Sequence, residues 1–172
     1  MNFKLSFKPD ENYYNEAYSE IVSSLKFKKY QPLFATILVF FGITLYFLDT
    51  QKKLGLFSLA FSIRGVYEFY KIYYEKKKWL KDRLQSGIAG QTLEMDFNEE
   101  TIKHCGPFSN GEINWNGIKD IIKTKKGLLL KPENGISIYL PNRLFKNNEQ
   151  INFIISKKNC TGQRFVAIAT NQ

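Results

Sequence analysis

The chain has 172 residues, which allows one or two small domains, and its formal net charge is +9. Its two cysteines exclude a disulfide framework, and its single histidine, with no Cys/His cluster at ligand spacing, argues against a zinc or iron centre. The densest run of basic residues directly follows the second of two apolar segments. That position favours a membrane surface over nucleic acid as the partner of the charge.

Residues 1–30 are predicted to form an N-terminal strand and helix. Apolar and polar residues alternate over residues 2–7, which is the period of a half-buried strand. Asp10 then suits the N-cap of a helix predicted over residues 11–29. The apolar side chains of that helix recur at helical spacing, so we expect one face of it to be buried.

Two apolar segments predict a transmembrane hairpin over residues 31–74. The first, about residues 32–48, contains no charge, and its seventeen residues span about 25 Å as a helix, near the lower limit for a bilayer core. The second, about residues 54–74, spans only if it continues past a ten-residue apolar stretch. The turn between the segments is too short for anything but an antiparallel hairpin.

The second segment carries three charged residues to membrane depth, namely Arg64, Glu68 and Lys71. Their spacing predicts pairing along one helical face, which lowers the cost of burying them. We expect mainly a structural role, a polar stripe facing the first helix or a second copy of the chain. A functional intramembrane site, such as an ion or substrate path, and a re-entrant or interfacial helix are the alternatives.

Residues 75–90 are predicted to continue as a basic juxtamembrane helix, which Gly87 and Gly90 end. Its cations are candidates for contact with anionic lipid or with a partner: Lys76, Lys77, Lys78, Lys81 and Arg83. Basic residues also precede the first segment and are fewer in the turn. The positive-inside bias therefore predicts a multi-pass protein with both termini in the cytoplasm.

Residues 91–172 change in character and predict a small antiparallel β domain with a C-terminal helix. Apolar residues alternate between turn signals, three of which are Asn-Gly, so we expect six or seven strands. A closing helix is predicted over residues 147–158, and residues 164–169 suit either a last strand or an extension of that helix. The fold class is thus an α+β membrane protein: strand and helix, two-helix hairpin, β domain, terminal helix.

No catalytic, cofactor-binding or metal-binding residue is predicted, so we expect a protein that is not an enzyme. His104 and Cys105 are neighbours in a predicted strand, so their side chains point to opposite faces and cannot form a dyad. A second candidate for anionic lipid or partner contact is a cluster of basic residues in the β domain. A solvated charged face is the alternative interpretation of this cluster: Lys123, Lys125, Lys126, Lys131 and Arg143.

Four stretches of the second half resemble a known family. They are Met95–Ile102, Ile113–Trp115, Leu128–Leu130 and Ile138–Phe145, and their apolar and turn positions are similar to those of the YcxB-like family of small bacterial membrane proteins. The resemblance implies a pleckstrin-homology-like (PH-like) β domain capped by a C-terminal helix, in a bacterial cytoplasmic (inner) membrane. It implies an architecture and no activity.

The expected function is a non-enzymatic, membrane-anchored interaction module. It would present the PH-like domain at the cytoplasmic face of the membrane for protein or lipid contacts. The alternative is an immunity or regulatory membrane protein that protects against a membrane-active toxin through its hairpin. Membrane lipid, an unidentified protein and a second copy of the chain are the expected partners; nucleic acid and cofactors are not.

Overall fold

A computed structural model of the chain describes residues 1–49 and 53–158, so the predicted element at 164–169 lies outside the described residues. The elements in chain order are β1 (Phe3–Phe7), α1 (Glu11–Ser24), a short 3-10 helix (Lys28–Tyr30), α2 (Gln31–Leu48), α3 (Gly55–Leu84), β2 (Leu93–Phe97), β3 (Thr101–Cys105), β4 (Asn110–Asn114), β5 (Ile118–Lys123), β6 (Gly127–Pro132), β7 (Ile138–Pro141) and α4 (Asn148–Ser156). They divide into two units. The β unit combines Met1–Ser24 with the chain from Arg83 onward, and the helical unit is Leu25–Asp82.

The β unit contains two antiparallel sheets, one ordered β1-β2-β3-β4 and the other β5-β6-β7. Among the described residues, six strands follow residue 90, in agreement with the predicted six or seven. The seventh, β1, comes from the N-terminus and pairs with β2, with Leu5 opposite Met95. The boundary predicted at residue 30, which set the N-terminal segment apart from the β domain, is therefore wrong for β1 and α1. Local sequence carries no signal for a strand pairing across some ninety positions.

The two sheets and α4 enclose one apolar core, and the side chains in it come from both sheets: Phe3, Leu5, Met95, Phe97, Ile102, Trp115, Ile118, Ile121, Leu128, Leu130, Leu140 and Ile154. Trp115 shows how the core satisfies its polar atoms, since its indole N–H donates to the Asn98 carbonyl at 2.9 Å. α4 closes the core with Ile154, and Asn147 caps this helix by accepting a hydrogen bond from the Gln150 amide at 3.1 Å.

Helix α1 covers the outer face of the second sheet. Leu129 and Tyr139 are register partners there, on the face opposite the core, yet both are fully buried. The Tyr13 hydroxyl donates to the Tyr139 carbonyl at 2.7 Å, and the two rings are 5.9 Å apart. Asp10 caps α1 as predicted, accepting from the Tyr13 amide at 2.7 Å. The helix ends at Ser24, five residues before the predicted end.

In the helical unit, α2 and α3 form an antiparallel hairpin whose backbones approach closely at two glycines. A Cβ on Gly42 would lie 2.6 Å from the Ser58 carbonyl oxygen, and one on Gly65 would lie 2.9 Å from the Ala35 carbonyl oxygen. Small residues at these positions let the helices touch. α3 runs for 30 residues without a break, which agrees with the predicted continuation into the basic segment.

Among the described residues, one helical stretch is long and apolar enough by composition to cross a membrane. It is Lys28–Leu48, with a mean hydropathy of 1.8, and little of its surface is covered by the rest of the protein. Helix α3 does not meet the same test, because its second half is rich in charged residues.

Candidate functional site

Glu68 is the buried polar centre of the hairpin. It forms the ion pair with Arg64 that their spacing predicts, and it accepts a hydrogen bond from the Gln31 side chain of α2 at 3.2 Å. Glu68 is 6% exposed, whereas Arg64 extends outward with its guanidinium 5.4 Å from the Tyr67 ring. The second predicted partner, Lys71, is exposed and is not paired with Glu68.

A second contact continues beyond Glu68, where Lys28 Nζ lies 3.0 Å from Glu75 Oε2. We call these contacts, Arg64–Glu68–Gln31 and Lys28–Glu75, the polar ladder. The ladder stands at the N-terminal end of α2, so Glu68 is level with Gln31 and not with the middle of the uncharged stretch. The register of the hairpin thus places Glu68 beside the start of α2, and the membrane depth of Arg64, Glu68 and Lys71 stays a prediction. Arg64 alone lies beside the apolar part of α2, one residue before the packed Gly65.

The predicted basic cluster of the β unit does not assemble as one group. Lys123 ends β5, and Lys125 and Lys126 follow it in the turn to β6. Lys131 lies near the opposite end of β6, facing Asp120 across the strand pair. Arg143 forms an ion pair with Glu16 of α1. Lys131 and Arg143 are therefore wrong as members of the cluster, since strand register and the covering helix separate them from it.

The residue that joins Lys123 instead is Lys146. Together they line a groove of about 410 Å³ between the end of β5 and the start of α4. We call it the basic groove, and its lining consists of Lys123, Asn142, Phe145, Lys146, Asn147, Asn148 and Ile151. A hydrogen bond from the Asn142 amide to the Lys126 carbonyl, at 2.8 Å, holds the β5–β6 turn against this region. Sequence reasoning missed Lys146, because its place beside Lys123 depends on the packing of α4 against β5.

The lysines around the groove differ from the other basic residues of the β unit. Many of those are paired with acids, among them Lys4 with Asp96, Lys103 with Glu112, Arg143 with Glu16, Lys157 with Glu99 and Lys158 with Asp120. Across the described residues, Lys123, Lys125, Lys126 and Lys146 are exposed and none of them is within ion-pair distance of a carboxylate. Positive potential is therefore concentrated at this end of the β unit.

Arg143 is not available to bind a ligand anion because it forms an ion pair with Glu16 of α1. Its hydrogen bond to Glu16 raises the pKa of the guanidinium further. Burial raises the pKa of Tyr13, and burial together with the Glu16 carboxylate raises the pKa of Tyr139. These groups keep their ordinary charge states at neutral pH and hold α1 on the sheet.

His104 and Cys105 are consecutive residues of β3, and Cys105 is exposed. The His104 ring lies over Gly111 of β4, where a Cβ would collide with it. Within residues 1–49 and 53–158, no three His, Cys, Asp or Glu side chains are placed to hold a metal ion.

The described fold is an α+β protein in which a helical hairpin is inserted between the first and second strands of a two-sheet β unit. Residues 97–157, from the end of β2 to the end of α4, match the family model described as YcxB-like protein. The resemblance drawn from the sequence is confirmed over these residues. No curated protein and no solved structure matches the chain.

Proposed function

We propose that the protein is a non-enzymatic, membrane-anchored interaction module. In this proposal α2 and α3 cross the cytoplasmic membrane of a bacterium as a hairpin. The β unit lies at the cytoplasmic face, where it makes lipid or protein contacts. The observation that carries the proposal is the reversed polarity of the helical unit, which is apolar outside and polar at one end of its interior.

The outward surfaces of both helices support insertion into lipid. Large apolar side chains are exposed along α2 and along the first half of α3, including Leu33, Phe34, Ile37, Phe40 and Phe41, and Leu56, Phe57, Leu59, Ile63 and Val66. An exposed apolar surface of this extent is unfavourable in water and is typical of a surface that meets lipid or another protein. Close packing through small residues is the usual way in which helices associate in a membrane.

The polar ladder supports a boundary of the membrane at the N-terminal end of α2. From Gly55 to Glu68, α3 rises about 20 Å, which suits a thin or locally thinned bilayer. Arg64 is one turn deeper, about 6 Å from Glu68 along the axis, and its long side chain can reach back to the interface. Exposed tyrosines lie at the same end, in the position of an aromatic belt: Tyr30, Tyr67, Tyr70, Tyr73 and Tyr74.

The orientation rests on the basic residues at that same end. Lys26, Lys28 and Lys29 precede α2, and five more basic residues lie on α3 after Glu75. By the positive-inside bias this end faces the cytoplasm, and both termini with it. We also propose a PH-like arrangement for the β unit, which combines a four-stranded and a three-stranded sheet with a C-terminal helix.

Thiol accessibility tests the anchoring and the orientation together. The variant C160S keeps Cys105, which is exposed, as its one cysteine, and C105S/C160S is the matched control without thiols. A membrane-impermeant maleimide should label C160S in inverted membrane vesicles and not in intact spheroplasts. Labelling in intact spheroplasts would refute the orientation. Release of the protein from membranes by alkaline carbonate would refute the anchoring.

A further inference from the structure

We propose that the basic groove binds a phosphate monoester carried on a small hydroxylated group, such as a sugar or polyol. The inference rests on the proposed function, because it names the chemistry that the β unit would contact at the membrane face. It starts from the lining of the groove, which combines two lysines and three asparagines and contains no acidic residue.

The two lysines come from different elements and can converge on one charge. Lys123 ends β5, and Lys146 lies just before the cap of α4. An ammonium group offers three donors and no acceptor, so two of them favour a ligand group that carries two negative charges. A phosphate monoester carries close to two charges at neutral pH, whereas a carboxylate or a phosphodiester carries one.

The asparagines add a preference for hydroxyl groups beside the phosphate. The side-chain amides of Asn142, Asn147 and Asn148 can each donate to a phosphate oxygen and accept from a hydroxyl. Asn147 already accepts from Gln150 N and donates to Glu149 Oε2 at 3.3 Å, so Asn142 and Asn148 have the larger free capacity. Phe145 and Ile151 supply apolar surface against which a sugar or polyol can pack.

The frame of the groove is held in place before any ligand arrives. The Lys146 amide donates to the Gln150 side chain at 2.9 Å, and Gln150 is buried. The Phe145 amide donates to the Asn142 carbonyl at 3.2 Å. A pre-organised frame lowers the entropy lost on binding. The volume of about 410 Å³ is in the range of small-molecule sites, so it suits a phosphorylated group larger than free phosphate.

A phosphate monoester of this kind has two sources at a membrane. It can be a soluble phosphorylated compound, or the headgroup of a lipid such as phosphatidic acid. Both present the same chemistry to Lys123 and Lys146, so the experiment uses a probe of each source.

The experiment uses the full chain in phosphatidylcholine nanodiscs, because a fragment that begins after α3 would lack β1. Isothermal titration calorimetry with glycerol 3-phosphate should show binding that weakens about ten-fold or more in K123A/K146A. The variant K123R/K146R, which keeps both charges, should retain most of the affinity. The matched control K119A/K131A removes two lysines outside the groove and should bind like the wild type. Circular dichroism of each variant verifies that the β unit is folded.

A second set of nanodiscs contains phosphatidic acid, with phosphatidylglycerol as the phosphodiester control. If glycerol 3-phosphate binds more weakly in phosphatidic acid nanodiscs but not in phosphatidylglycerol nanodiscs, the lipid occupies the groove, which supports a lipid source. Binding that is unchanged in both supports a soluble source. Three outcomes would overturn the proposal. The two lipids could weaken glycerol 3-phosphate binding equally, K123A/K146A and K119A/K131A could lose affinity equally, or neither probe could bind. Carbonate extraction of the same variants reports anchoring separately, so failure of the groove and failure of the anchor are distinguishable.

Discussion

The two units of the molecule are organised in opposite ways. In the β unit, large apolar side chains such as Phe97 and Trp115 are inside, and many charged residues are paired on the surface. In the helical unit, small residues such as Gly42 and Ser58 are inside, and the large apolar side chains are outside. The β unit is therefore packed through large apolar side chains, and the helical unit through small ones.

Different forces hold the two units together. Removal of apolar surface from water stabilises the β unit. The helical unit buries little apolar surface between its helices, so its cohesion depends on close backbone contact and on the polar ladder. Substitutions that damage one unit should therefore leave the other intact, and the variants below test how each unit is held together, in decreasing order of effect.

The largest effect is expected from emptying the core of the β unit. Phe97 is fully buried, and its ring stacks on Phe3 at 5.0 Å and lies 6.2 Å from the Trp115 ring. F97A should therefore lower the free energy of unfolding by about 3–5 kcal/mol. Thermal unfolding followed by near-ultraviolet circular dichroism measures it. The matched control is F108A, since Phe108 is 73% exposed, and it should change little. If F97A also prevented membrane retention, the independence of the two units would be refuted.

The second effect concerns the contact between α2 and α3. In G42L the new side chain would meet Ser58 and Ser62 at less than contact distance, and we expect a loss of about 1–3 kcal/mol or separation of the helices. Hydrogen exchange of both helices in nanodiscs measures it. A Cβ on Gly55 would enter open space, so G55L is the control and should retain protection. Equal loss in the two variants would contradict packing through Gly42.

A smaller effect is expected at the polar ladder. The variant E68A removes the partner of both Arg64 and Gln31, and polar contacts between membrane helices contribute about 0.6 kcal/mol on average. The same exchange measurement should show faster exchange at the N-terminal end of α2, with β-unit protection unchanged. The variant E75A removes the more exposed Lys28 contact and should have the weaker effect of the two. A larger effect in E75A would show that Glu68 is not the centre of the ladder.

The smallest effect is a pH dependence on the surface of the β unit. Hydrogen bonds from Lys157, at 2.6 Å, and from the Met1 amino group lower the pKa of Glu99 in the folded state. A carboxyl group with a lowered folded pKa stabilises the fold above its ordinary pKa of about 4.3, and that contribution is lost as the pH falls through the folded pKa. Denaturation between pH 6 and pH 3 should show a shallower acid-side decline in E99Q. The variant K157M removes the main donor and should flatten the decline similarly; an unchanged slope in both would contradict the assignment.

Much of the secondary structure could be predicted because it depends on local pattern. The uncharged stretch of α2 and the alternation of β1 are signals within a few residues of the element they define. Of the three Asn-Gly pairs, only Asn134-Gly135 lies in a hairpin turn, between β6 and β7, whereas Asn110-Gly111 begins β4 and Asn116-Gly117 lies in a 3-10 helix. The Arg64–Glu68 pair was predictable for the same reason, since four residues form one helical turn.

The arrangement of the candidate site could be predicted only in part. Lys123, Lys125 and Lys126 are neighbours in sequence, so their proximity follows directly. Lys146 lies beside Lys123 because α4 packs against β5. Arg143 lies outside the group because it pairs with Glu16 of α1, which covers the second sheet. Both facts depend on long-range packing, which a charge pattern does not contain.

Local sequence patterns were therefore enough to predict the apolar helix, the strand-rich second half and the basic second half of α3, and they carried the resemblance confirmed over residues 97–157. Three features became visible only in the folded chain. β1 completes the first sheet, Gly42 and Gly65 set the register of the hairpin, and two lysines and three asparagines line one groove. The physical reason is the range of the interactions. Propensity and periodicity act within a few residues, whereas register and burial depend on which surfaces meet once the chain has folded.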